Sequence, residues 1–125
     1  MSTRAIVNLK SGGVSSPTLV TVYNHSDGYP SGLGRDLKTI AARYEIVNGI
    51  SFNKSGLLQA NGIECFAAAL IKDLKQGAGG IYIYPLDSKP SDVEYFYTIY
   101  QKNNKIVVEG TDYKGKKIKE DEYNQ

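Results

Sequence analysis

Two early runs of the chain repeat with a period of two. TRAIVNL (residues 3–9) and PTLVTVYN (residues 17–24) are rich in β-branched residues and flank the loop KSGGVSS, so they are expected to form a hairpin. In the second strand Leu19, Thr21, Tyr23 and His25 fall on one face, and Val20, Val22 and Asn24 on the other. After residue 31 the period lengthens. Leu33, Leu37, Ile40, Ala41 and Tyr44 follow helical spacing, predicting an amphipathic helix over 32–44 with Ser31 as its cap. Residues 45–60, EIVNGISFNKSGLLQA, hold no sustained period and read as a connection with room for a short strand or turn.

A second helix is predicted from Asn61, whose pairing with Glu64 has the spacing of an N-terminal cap, with Ile63, Phe66, Ala67, Leu70, Ile71 and Leu74 as its buried stripe. The GAGG run at 77–80 ends it, IYIY (81–84) begins a strand, and Pro85 checks that strand. DVEYFYTIY (92–100) and KIVVEGTDY (105–113) then pair through the turn QKNN, whose asparagines tolerate the positive φ of a tight hairpin. The order strand, strand, helix, helix, strand, strand, strand predicts an α+β fold, with one mainly antiparallel sheet and two helices packed on one face. Strand 92–100 puts Val93, Tyr95, Tyr97 and Ile99 on one side and Glu94, Phe96, Thr98 and Tyr100 on the other. Neither side is plainly polar, so both faces need cover, and a second subunit is a reasonable supplier.

A length of 125 residues suits one domain, 1–125, ending in a charged tail, 114–125. The formal charge of +2 does not mark a nucleic-acid protein. KGKKIK (114–119), followed by EDE, reads as a solvated terminus ahead of a phosphate-binding arm. The single cysteine, Cys65, rules out an intramolecular disulfide and, beside Phe66 and three alanines, is expected to be buried. No run has the length of a membrane span, and the opening MSTRAIVNLK lacks the apolar run of a signal peptide, so a cytosolic protein is expected. Ten tyrosines against three phenylalanines and no tryptophan suit interfaces and stacking pockets.

Candidate chemistry concentrates in VYNHSDGYPSGLGRDL, residues 22–37. As catalysts, His25 and Asp27 would be a base and its orienting carboxylate, yet no second histidine, HExxH or GxSxG accompanies them. A binder therefore ranks above an enzyme, whether phosphodiesterase or nucleosidase, and no cofactor, metal site or catalytic residue is expected. GYPSGLGR is a weak phosphate-loop pattern, and free amides at Ser31 to Gly34 with Arg35 would attract an anion. Plain turn chemistry explains the same glycines equally well, and Asp36 is an alternative partner for Arg35. A nucleotide pocket draws on Tyr23 and Tyr29 for stacking, Asn24 and Asp27 for ribose hydroxyls, and Arg35 with Gly32 and Ser31 for phosphates. Tyr82 and Tyr84 add either a stacking plane or ordinary cross-strand packing. Arg4 is added as one of three arginines, placed in an opening strand.

YNHSDGYPSGLG resembles a signature of short, mostly phage-encoded proteins, the first-described family of Thoeris anti-defence proteins. The match is specific over residues 22–37 and architectural elsewhere. The resemblance implies a sponge that binds and sequesters cyclic ADP-ribose isomers made by TIR-domain enzymes, without degrading them, in the cytoplasm of the infected bacterium. It also implies dimers assembling into a hexamer, ligand recesses at subunit interfaces, and in some members cyclic oligonucleotides held at separate sites. For this chain it points to a ligand site among Tyr23, Asn24, His25, Asp27, Tyr29, Ser31, Gly32 and Arg35, with Tyr82 and Arg4 as additions. A nucleic-acid or protein interaction module using the KGKKIK tail is the remaining rival.

Overall fold

The computed structural model describes residues 2–48 and 56–125. Among these residues there are seven strands: β1 (Ala5–Lys10), β2 (Thr18–Asn24), β3 (Tyr44–Val47), β4 (Leu58–Asn61), β5 (Ile81–Tyr84), β6 (Tyr95–Lys102) and β7 (Lys105–Asp112). Two α-helices, α1 (Arg35–Ala42) and α2 (Ile63–Leu74), lie between them, and a short 3-10 turn, Glu120–Asn124, ends the chain. The fold is α+β, as the periodicities predict. The main sheet runs β5-β2-β1-β6-β7 and is antiparallel throughout except for the parallel pair β1 and β6. Both predicted hairpins form, and Asn103 supplies the positive φ, 59°, that the turn between β6 and β7 needs.

The two sheet faces are covered differently. On one, Val7, Leu9, Val22, Tyr97, Ile99 and Val108 meet Leu37, Ile40 and Ala41 of α1 and Ile63, Phe66 and Leu70 of α2 in the main core. Each large side chain buried there contributes roughly 1.5–3 kcal/mol. On the other, Ile6, Tyr23 and Val93 form a small second cluster with Tyr84 and Phe96 packed against it. Its cover is the connection from β5 to β6, residues 85–94, which must cross β2 and β1 because those strands stand between its ends. Along the way the Asp87 amide donates to Thr21 Oγ1 (2.9 Å), and Arg4 pairs with Asp92 at 3.2 Å. Val93 therefore belongs to this second face. It precedes β6 and does not share the side of Tyr97 and Ile99, contrary to the alternation expected for 92–100.

Local corrections follow from competition between elements. Helix α1 stops at Ala42, because Tyr44 is drawn into β3, where it packs edge-on against Phe66 at 5.4 Å. The connection at 45–60 contributes to a second, two-stranded parallel sheet of β3 and β4, while residues 49–55 lie outside the described residues. Asn61 does not cap α2. It ends β4, and Gly62, at φ 86°, is the residue from which the helix starts. Cys65 is exposed, since Ile63, Phe66, Ala67 and Leu70 define the inward face of α2 and Cys65 turns away from it.

The tail is docked rather than solvated. Ile118 and Tyr123 are buried, the Ile118 amide donates to the Gly110 carbonyl (2.9 Å), and Lys38 pairs with Glu120 while its ammonium lies 4.3 Å from the Tyr123 ring centre. The lysines of KGKKIK stay exposed around these two anchors. Among the described residues no helix is long and apolar enough to cross a membrane.

Candidate functional site

The corner between β2 and α1 is built by backbone bonds. Asn24 Nδ2 donates to the Ser26 carbonyl (2.5 Å), Asp27 adopts φ 58°, and the Gly28 amide donates to the Thr3 carbonyl (2.9 Å). Asp is among the side chains that tolerate the left-handed region. The chain then enters α1 through one wide turn, Pro30–Gly34, with Tyr29 at its start and no side-chain cap, so Ser31 caps nothing. Gly32 N donates to the Tyr29 carbonyl (3.0 Å), Leu33 N to the Asp27 carbonyl (2.9 Å) and Gly34 N to the Tyr29 carbonyl (3.4 Å). The anion-binding amides expected at Ser31 to Gly34 are therefore largely consumed within the turn.

The glycines are there for close approach. A Cβ on Gly28 would stand 2.7 Å from Ala5 Cβ, and one on Gly32 would stand 2.6 Å from the Asp27 carbonyl oxygen. Arg35 also leaves the expected site. Its Nε donates to the Tyr123 carbonyl (3.0 Å) and an Nη to the Gln125 carbonyl (2.9 Å), so the guanidinium fixes the tail instead of pairing with Asp36.

The corner residues divide between two surfaces, because Asn24 and Tyr23 project to opposite faces of β2. On the helix side, Asn24, Asp27, Tyr29, Gly32 and Asp36 border a cleft of about 490 Å3, closed opposite by the glycine-rich loop of residues 76–80. His25 ties that loop to the corner through its amide, which donates to the Gly80 carbonyl (2.9 Å). Among the described residues, the side chains bordering the cleft include two carboxylates and no lysine, arginine or histidine. Such a cleft disfavours phosphate.

The opposite face gathers the aromatic residues. Tyr23 pairs with Tyr82 across β2 and β5, and its ring stacks on Tyr84 at 4.6 Å and 10°. Tyr82 lies 6.0 Å from Tyr23 and is 47% exposed. The Tyr23 hydroxyl and His25 Nδ1 are 2.9 Å apart. Burial raises the Tyr23 pKa, while the neighbouring Arg4 guanidinium opposes that shift. Lys75, at the end of α2, donates to the Gly79 (2.8 Å) and Ile81 (3.0 Å) carbonyls, with its ammonium 5.6 Å from the Tyr82 ring centre. Three tyrosine rings thus stand among Arg4, His25 and Lys75.

Of the ten expected ligand residues, Tyr23, His25, Tyr82 and Arg4 meet on this aromatic patch, whereas Asn24, Asp27, Tyr29 and Gly32 belong to the acidic cleft. Ser31 and Arg35 join neither. His25 and Asp27 serve different surfaces, so the base and carboxylate pairing considered from their spacing is not built. Lys75, which also borders the patch, is not among the residues expected from sequence, because its contacts depend on the loop returning along β5. The GAGG run that follows it, read only as a helix stop, was the available signal. Comparison of the chain with protein-family models, with curated proteins and with solved structures finds no match.

Proposed function

We propose that this protein binds and sequesters a cyclic ADP-ribose isomer of the kind made by TIR domains, glyco-cyclic ADP-ribose, without degrading it, and so blocks Thoeris immune signalling. The observation that carries the reading is the exposed Tyr82 ring, set beside the buried Tyr23 and the half-buried Tyr84 stacked on it, and bordered by Arg4, His25 and Lys75. An exposed aromatic face suits the adenine, and the charges of Arg4 and Lys75 suit the pyrophosphate. The protein acts in this reading as a phage-encoded homo-oligomer in the cytoplasm of the infected bacterium. A sponge must hold free messenger below the threshold of its effector, which calls for nanomolar affinity, about 12 kcal/mol.

The rival hydrolase needs His25 and Asp27 to act together, and their separation onto two surfaces speaks against it. The test is to load the protein with glyco-cyclic ADP-ribose, remove unbound ligand, denature by heat and chromatograph what is released. Intact ligand in stoichiometric amount is expected. A chemically altered product would replace the sponge with an enzyme, and an empty protein would remove the messenger reading altogether.

A further inference from the structure

The two edges of the main sheet are treated differently. The outer edge of β7 is covered at both ends: the Asn104 carbonyl just before it accepts from the Ile46 amide (2.8 Å). At the other end, Asp112 N donates to the Lys116 carbonyl (3.0 Å), and Ile118 N donates to the Gly110 carbonyl (2.9 Å). An exposed strand edge is a template for pairing, and covering it with a returning segment is a common defence. At the opposite edge, β5 has no such cover among the described residues.

The pairing of β5 with β2 decides which backbone groups are left. The bond from the His25 amide to the Gly80 carbonyl, carried along the register, turns the polar groups of Tyr82 and Tyr84 toward β2 and those of Ile81 and Ile83 outward. Ile81 is already used, since its amide donates to the Gly79 carbonyl (2.9 Å) and its carbonyl accepts from Lys75 (3.0 Å). Pro85 has no N–H to offer. Ile83 therefore presents the free outward N–H and C=O of this edge, with no hydrogen-bond partner among the described residues. Its side chain is 61% exposed, next to Tyr82 and to Leu86 at 58%.

We propose that β5 is a self-association edge, pairing antiparallel with β5 of a second copy about a two-fold axis at Ile83. The register follows from the blocked positions: with Ile81 occupied and Pro85 unable to donate, only an Ile83 pair can exchange both bonds. Charge favours a second copy as the occupant. Residues 81–86, IYIYPL, carry none, while Lys75 stands at one end of the strand and Asp87 follows the other. Antiparallel pairing sets the lysine end of one copy against the aspartate end of the other. Two five-stranded sheets then become one continuous sheet. Residues opposite each other share a face, so Tyr82 meets Tyr84 of the second copy and each aromatic patch gains a ring that one chain lacks. The pairing rests on the sheet edge alone; only the consequence for a ligand rests on the messenger-binding reading.

The test is sedimentation velocity at micromolar concentration on the wild-type protein and on Ile83→Lys, with circular dichroism to confirm folding at this exposed position. The wild type is expected to sediment as a dimer or a multiple of dimers. Ile83→Lys should shift the smallest species to the mass of a single chain. A second variant, Ile83→Cys in a Cys65→Ser background, should form an intermolecular disulfide on mild oxidation, whereas Val14→Cys in the same background, exposed in the loop between β1 and β2, should not. A monomeric wild type, an Ile83→Lys protein of unchanged mass, or equal cross-linking of the two cysteine variants would each overturn the proposal. Titration with glyco-cyclic ADP-ribose separates the two readings. Absence of binding by a dimeric wild type would defeat the messenger and leave the edge pairing standing, and tight binding by a monomeric wild type would do the reverse.

Discussion

The hydroxyl of Tyr97 donates a 2.7 Å hydrogen bond to the carbonyl of Gly28, joining positions 69 residues apart. Tyr97 is fully buried in β6, and Gly28 passes so close to β1 that an added Cβ would stand 2.7 Å from Ala5 Cβ. The bond therefore anchors the corner to the centre of the sheet. Tyr97→Phe keeps the ring but leaves a buried carbonyl without its donor. A loss of about 1–3 kcal/mol is expected, read as a lower urea midpoint at unchanged slope.

Gly28→Ala tests the same anchor from the other side. The added methyl meets Ala5 Cβ at 2.7 Å and the Thr3 carbonyl at 2.9 Å, in a place where β1 cannot yield without disturbing its pairing with β2 and β6. Destabilisation of roughly 1–3 kcal/mol is expected from overpacking. Unchanged stability in a denaturant titration would show that the corner is looser than its contacts suggest.

Two buried phenols set an alkaline limit. Burial holds the Tyr97 hydroxyl far above its ordinary value and pushes that of Tyr123 up to about 12. A folded pKa above the unfolded value of 10 means that this stability is fully present below about pH 10 and is lost as pH rises through the folded value. Urea midpoints should therefore be insensitive to these groups up to about pH 10 and fall between pH 10 and 12. Tyr123→Phe should flatten part of that fall.

Much of the fold was legible because strong periodicity decided it. Both hairpins and the stripe of α2 follow from alternation, helical spacing and turn residues, whereas the place of IYIY beside β2 is given only by the sheet order. What was illegible depended on distant partners. Tyr44 fits the spacing of α1 as well as it fits β3, and only its packing on Phe66 chooses. Arg35 resembles an anion ligand until the tail returns to place the Tyr123 and Gln125 carbonyls beside it. The candidate ligand residues cluster in sequence, but alternation along β2 assigns Tyr23 and Asn24 to opposite faces. That single fact divides the expected pocket in two.

Arg35→Ala separates a structural role from a ligand role. Loss of its bonds to the Tyr123 and Gln125 carbonyls should speed amide exchange across residues 118–125 and leave messenger affinity within about twofold of wild type, 0.4 kcal/mol. A large drop in affinity with an unaltered tail would return Arg35 to the ligand site.

The most direct test of the central claim is a calorimetric titration of glyco-cyclic ADP-ribose into the wild-type protein, Arg4→Ala and Tyr82→Ala. The account predicts saturable binding in the nanomolar range for the wild type and at least roughly tenfold weaker binding, 1.4 kcal/mol, for each variant. No binding heat from the wild type, or unchanged affinity in both variants, would contradict it.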